Sequence, residues 1–197
     1  MRVDFWYEFA STYSYLAAMR IEALAQERDI NLRWRPFLLG PIFAEQGWRN
    51  SPFNIFAAKG RNMWRDMERQ CARQKLAFRR PDPFPQNSLA AARAALALSD
   101  DERPAFSRAV FDAAFAKSLP IADRATLVAI LQAQGFSASH VLERGNGDEV
   151  KNRLKRENDE ARRLGIYGAP TCITEDGEMF WGNDRIEAAL DWAMGIR

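Results

Sequence analysis

Four residues, Ser11, Thr12, Tyr13 and Ser14, lie inside the stretch DFWYEFASTYSYLA, where a strand-like run passes into a helix-like one. In redox enzymes a turn of this kind often holds a C-x-x-C pair. With serine at both outer positions there is no dithiol to cycle, so disulfide exchange is excluded as the chemistry of this site. His140 is the only histidine, which argues against a Ser-His-Asp triad built on Ser11. Cys71 and Cys172 are far apart and have no metal-ligand spacing. No disulfide is expected from them, and a reducing cytoplasm is the default compartment. Neither a G-x-x-x-x-G-K-[ST] phosphate loop nor a strand-turn-helix G-x-G-x-x-G occurs.

The elements that must position this turn come from a chain of 197 residues, which fits one domain or one domain with a large insertion. At 47% hydrophobic and 12% aromatic residues it can bury a full core. Its 28 basic and 26 acidic side chains nearly cancel, to a net +2, and give no electrostatic reason to expect nucleic acid or an anionic membrane as partner. Mixed-sign runs such as KNRLKRENDEARR read as solvated helix faces. The start MRVDFWYEF lacks a signal-peptide pattern, and no run approaches the ~18 apolar residues of a membrane span.

Residues 2–9 alternate Val3, Phe5, Tyr7 and Phe9 on one face and read as a strand. A helix follows from Ser14 to about Arg28, then the strand-like INLRWRPFLL, which Pro36 pushes towards a sheet edge or end. That is a βαβ unit. Residues 43–164 are dominated by helical spacing: Trp64, Met67 and Cys71 share one face, Phe106, Val110 and Ala113 a second, Val150, Leu154, Ala161 and Leu164 a third. The proline-dense segment 81–85 is a loop, Ser88 and Asp148 are expected N-caps, and Gly165 an expected C-terminal cap. TCIT and EMFW then read as short strands joined by EDG, with Asp176-Gly177 as the hairpin turn. A final helix from about Asn183 puts Ile186, Leu190 and Ala193 on one stripe. The layout is α/β: βαβ, a helical insertion, then ββα. The expected division is residues 1–40 with 165–197 as one discontinuous domain and 41–164 as a helical subdomain.

This layout matches a thioredoxin-like fold split by an all-helical insertion. DFWYEFASTYSYLA, SPFNIFAAKGRNMWRDMERQ, GAPT and FWGNDRIEAAL, in this order, resemble the 2-hydroxychromene-2-carboxylate isomerase family, a relative of kappa-class glutathione transferases and DsbA-like proteins. The resemblance covers nearly the full length. It implies glutathione as cofactor, a small aromatic carboxylate as substrate, a role in aromatic hydrocarbon catabolism and a homodimer. The aromatics around Trp48 and Phe53 read as exposed and are compatible with a dimer.

For the site, the resemblance implies that the serine at Ser11 activates a thiol supplied by the ligand. Read from the residues alone, Ser11 is equally an N-cap or turn residue. The magnitudes allow the sharper role. A free thiol titrates near ~8.5, and one pKa unit is about 1.36 kcal/mol. A hydrogen bond to a charged acceptor contributes roughly 1.5–3 kcal/mol and a helix N-terminus about 0.3–1 kcal/mol. In GAPT the resemblance implies a cis Pro170, with Ala169 offering backbone N–H and C=O to the ligand. In WGNDRI, Gly182 frees the entry to the last helix, whose open N–H groups suit a carboxylate. Asn183 or Asp184 reads as a cap, Asp184 also suits an ammonium group, and Arg185 reads as a surface residue or a carboxylate clamp. Asn54 is implied at the junction of cofactor and substrate. Lys59 and Arg61 read either as solvated or as a hold on the substrate carboxylate, and Phe84 as a wall of the aromatic pocket. Trp64, Met67 and Cys71 read as core, Cys172 as buried and inert. No metal site is expected. The expected activity is glutathione-dependent isomerisation of 2-hydroxychromene-2-carboxylate or a close analogue. The alternatives are a kappa-like transferase and a non-catalytic thioredoxin-fold binding module.

Overall fold

The computed structural model describes residues 1–196; Arg197, the end of the 165–197 segment, lies outside them. Strand β1 (Arg2–Tyr7) is buried at every position from Val3 on, because both of its faces are covered. Val3, Phe5 and Tyr7 point into the larger core. Trp6 points the opposite way, into a smaller core with Phe37, Ile42, Ala161, Ile166 and Ile173. The strand ends at Tyr7, two residues short of the expected span.

Helices α1 (Thr12–Ala18) and α2 (Ile21–Gln26) lead to strand β2 (Asn31–Pro36). The single helix expected over 14–28 is thus two, broken at Met19 and Arg20 without a glycine or proline to announce it. β2 pairs with β1 in parallel from Asn31 opposite Arg2 to Pro36 opposite Tyr7. It is an edge strand, where the missing N–H of Pro36 costs nothing.

The helical stretch comprises α3 (Leu39–Glu45), α4 (Pro52–Ile55), α5 (Ala57–Gln74), α6 (Leu89–Ala97), α7 (Arg103–Phe111), a π-helical turn at Asp112–Ala116, α8 (Arg124–Ala133), α9 (Ala138–Asn146) and α10 (Asp148–Arg163). Ala-rich α6 is nearly all buried, whereas α10 buries only Val150, Leu154, Asn158 and Ala161 and turns its charges to solvent. Asp148 is the first residue of α10 rather than its cap; extended Gly147 takes that place. Ser88 is at the N-cap of α6 but makes no capping bond, and Gly165, at φ 74, follows the end of α10. Trp64 is half-buried while Met67 and Cys71 are core; Trp48 and Phe53 are half-buried rather than exposed.

The chain returns through β3 (Thr171–Thr174), β4 (Met179–Trp181), a 3₁₀ turn at Asn183–Arg185 and α11 (Ile186–Ala193). The sheet order is β2-β1-β3-β4, with β3 antiparallel to β1 and β4 antiparallel to β3. The larger core joins the sheet to the inserted helices through Met63, Phe106, Val110 and Leu127. Two polar ties cross the same boundary. The Tyr7 and Ser107 hydroxyls are 2.7 Å apart. The buried Arg103 guanidinium donates to Ala95, Leu98 and Trp34 carbonyls, satisfying the C-terminal end of α6 and a β2 carbonyl together. No helix among the described residues is long and apolar enough to cross a membrane.

Candidate active site

Ser11 is the N-cap of α1, in extended backbone at φ −85, and its Oγ accepts from the Ser14 N–H at 3.2 Å. The same hydroxyl donates to the Ala169 carbonyl at 2.9 Å. Ala169 precedes Pro170 through a cis peptide bond. Thus the first turn and the GAPT segment, 158 residues apart in sequence, meet at one hydroxyl. The Ala169 N–H has no intramolecular partner among the described residues. Since α1 has only seven residues, its dipole adds to the site at the low end of the range above.

Ser11 and Ala169 open onto a cleft of about 1490 Å³. Pockets for one drug-sized molecule run to ~300–1,000 Å³, so this one has room for two small ligands. Lys59, Phe84, Gly182, Asn183 and Asp184 line it. Asn54, Arg61, Pro170 and Arg185 are not among its lining residues. The Asn54 amide donates to the Phe84 carbonyl at 2.8 Å and to Asn50, so it braces the 81–85 loop. Arg61 is exposed on α5, and Pro170 is buried beneath Ala169. Arg185 is exposed and pairs with Asp184 at 3.2 Å. Phe84 meets Trp64 edge-on at 4.6 Å. Lys59 Nζ is 4.8 Å from the centre of the Phe56 ring.

Three features of the cleft escape the sequence reading. Glu8 lines it with a buried carboxyl whose pKa is raised by burial. Tyr13 donates to Asp66 of α5 at 3.0 Å; burial and the Asp66 charge hold its hydroxyl protonated. Tyr167 and Trp181, both half exposed, stack edge-on at 4.9 Å beside Gly168, where a Cβ would come within 2.4 Å of the Trp181 indole nitrogen. The turn that follows is pinned from α1's side: Arg20 Nε donates to Asn183 Oδ1 at 3.1 Å. None of these pairs has a local pattern to betray it. The chain's own thiols are poor nucleophiles: Cys71 and Cys172 are both buried, and burial pushes their pKa values up to about 11 and about 12. No group of three or more His, Cys, Asp and Glu placed to hold a metal ion occurs among the described residues.

The sequence pattern of the DSBA-like thioredoxin domain family matches residues 2–191. The chain belongs to that family. This DsbA-like chain is 24% identical over 185 residues to a 2-hydroxychromene-2-carboxylate isomerase of Sphingobium xenophagum, covering 94% of each protein. It is 26% identical over 204 residues to glutathione S-transferase kappa 1 of Caenorhabditis elegans, covering 96% of this chain and 89% of that one. Among solved structures, a 2-hydroxychromene-2-carboxylate isomerase superposes with a TM-score of 0.88 at 23% identity, over 99% of this chain and 95% of the other. The DsbA-like fold with four strands and inserted helices is thereby shared along nearly the whole chain.

Proposed function

We propose that this protein is a glutathione-dependent cis-trans isomerase of 2-hydroxychromene-2-carboxylate or a close analogue. The observation that carries the reading is the 2.9 Å bond from the Ser11 hydroxyl to the Ala169 carbonyl. A peptide thiol lying along Ala169 as an added strand brings an N–H that takes over this carbonyl. The single Ser11 proton is then released to a sulfur at the same corner. A neutral bond worth about 1 kcal/mol is exchanged for one to an anion worth roughly 1.5–3 kcal/mol. The exchange favours the thiolate and costs the protein no buried, unpaired group.

The other residues fit the same ligand. The free Ala169 N–H pairs with a cysteinyl carbonyl, and Asp184 at the cleft's edge suits the γ-glutamyl ammonium. The remaining volume faces Phe84 and Phe53, with Lys59 as cation for an aromatic carboxylate. Glutathione, when bound, would supply the nucleophilic sulfur that adds reversibly to the conjugated substrate and allows rotation about its C–C bond. The work of this chain is to hold the sulfur deprotonated, to set the ring against the aromatic wall and to exclude water from the corner.

The similarity to glutathione S-transferase kappa 1 favours one second reading, a transferase in which the adduct is the product. Incubation with glutathione and a hydroxychromene carboxylate decides. The isomerase reading expects trans-o-hydroxybenzylidenepyruvate and undiminished glutathione; stoichiometric glutathione loss overturns it in favour of the transferase. No turnover in the wild type, with glutathione affinity unchanged in Ser11→Ala, would leave only a binding module.

A further inference from the structure

Glu8 stands three residues before Ser11, at the end of β1, with only 6% of its surface exposed. Its Oε1 accepts from the Ala10 N–H at 3.2 Å, inside the turn that carries Ser11. Its Oε2 accepts from the Leu39 N–H at 3.0 Å, the first residue of α3, whose N-cap Leu38 has no side-chain oxygen to offer. The Ser88 hydroxyl, at the start of α6, faces the same carboxyl and lowers its pKa. The Glu8 carbonyl in addition accepts from the Ser11 N–H at 2.9 Å. Leu39, Ser88 and Ser11 all line the cleft. One buried side chain therefore joins the Ser11 turn to the α3 wall, 31 residues on in sequence.

We propose that Glu8 is a positioning residue: its carboxyl ties the Ser11 turn to the start of α3, and this tie fixes the Ser11 hydroxyl against Ala169. The carboxylate does not touch the sulfur. It removes the freedom of the turn on which the hydroxyl is mounted, in a cleft whose α3 wall would otherwise begin with an unsatisfied N–H. The groups that meet it from each packed segment are the Phe9, Ala10 and Leu39 N–H and the Ser88 hydroxyl, none of them charged. A shorter acid would not reach both amides. An amide would present an NH₂ to one donor and lose one tie.

The inference rests on the proposed thiol chemistry for its kinetic readout alone. The test is a backbone amide NMR titration of the protein, paired with glutathione titration and kinetics of Glu8→Gln. The Ala10 and Leu39 amide signals should move together, with one midpoint above the ordinary glutamate range, and this common transition should vanish in Glu8→Gln. In that variant kcat should fall on the order of tenfold, as expected for loss of one positioning hydrogen bond. KM should hold within about twofold, and the bound thiol should titrate closer to its free value. Amides that titrate separately or stay still in the wild type overturn the tie, and this holds whether or not the variant folds. A folded Glu8→Gln with wild-type thiol titration and kcat overturns its bearing on Ser11. If the wild type binds no glutathione, the proposed function fails, while the amide titration still decides the tie.

Discussion

The two sides of the cleft are held by different means. The corner made by the β1–α1 turn and the Ala169–Pro170 segment is set by short bonds between buried or half-buried groups: Ser11 to Ala169 and Ser14, Ser11 N–H to Glu8, and Thr171 Oγ1 to the Gly168 carbonyl at 2.9 Å. The opposite wall rests on the four-residue α4, the start of α5 and the 81–85 loop. There Ile55 and Phe56 are 45% and 46% exposed, and the Asn54–Phe84 bond ties loop to helix. A fixed corner suits the placing of a proton within tenths of an ångström. A wall built on a four-residue helix, a helix start and a loop suits adjustment to the shape of a substrate. Damage to the corner should therefore appear in kcat, and damage to the wall in KM.

Ser11→Ala is the sharpest way to break this contrast. Loss of roughly 1.5–3 kcal/mol at the sulfur corresponds to about a 10- to 150-fold fall in kcat. The bound thiol should return towards ~8.5, as followed by thiolate absorbance; a variant of wild-type turnover would remove the distinction between corner and wall. Gly60→Ala acts on the wall only. Its Cβ would lie 2.2 Å from the Phe53 carbonyl oxygen, so α4 must move. About 1–3 kcal/mol of stability should be lost in chemical denaturation, with KM raised and the bound-thiol titration left as it was. Phe84→Ala deletes the edge-on contact with Trp64, worth about 0.5–1.5 kcal/mol beyond burial, and should raise KM roughly two- to tenfold at constant kcat.

The smallest effect is expected where the last helix is pinned. The hydrogen bond from Arg20 holds the Glu187 carboxyl below the usual glutamate range. A depressed acid contributes stability above its unfolded pKa, near ~4.3, and loses it as pH falls through the folded value. Glu187→Gln should therefore lower thermal stability at neutral pH, by under about 1 kcal/mol because the side chain is 45% exposed. The difference from wild type should shrink in acid; a difference that grows there would contradict the assignment.

What the sequence discloses follows the same division. β1, the β3–β4 hairpin, the GAPT segment and the Gly182 entry to the final helix each have a signal within a few residues: alternation, Asp-Gly, a proline, a glycine at φ 118. Their meeting point does not. Nothing near Glu8 announces that its carboxyl will reach Leu39 and Ser88, and nothing near Arg20 announces Asn183. Those contacts are long-range packing outcomes: the first depends on how the helices after β2 settle on the sheet, the second on how the last helix docks beside α1 and α2. Trp181 reads simply as a strand residue; only packing against Gly168 turns it to the cleft. The break at Met19–Arg20 is silent for a related reason: Ala18, Met19 and Ile21 all favour or tolerate a helix, and docking against the sheet overrides them.

The burial of Cys71 and Cys172 has a further consequence. With both thiols buried, this polypeptide offers peroxide and alkylating reagents no exposed thiolate. If its working sulfur is borrowed, oxidative damage falls on a small molecule that diffuses away and is replaced, and the folded chain survives the event. Inactivation by an oxidant should then be reversed by fresh thiol alone, without a repair enzyme, and the catalyst's throughput should follow the supply of reduced thiol around it.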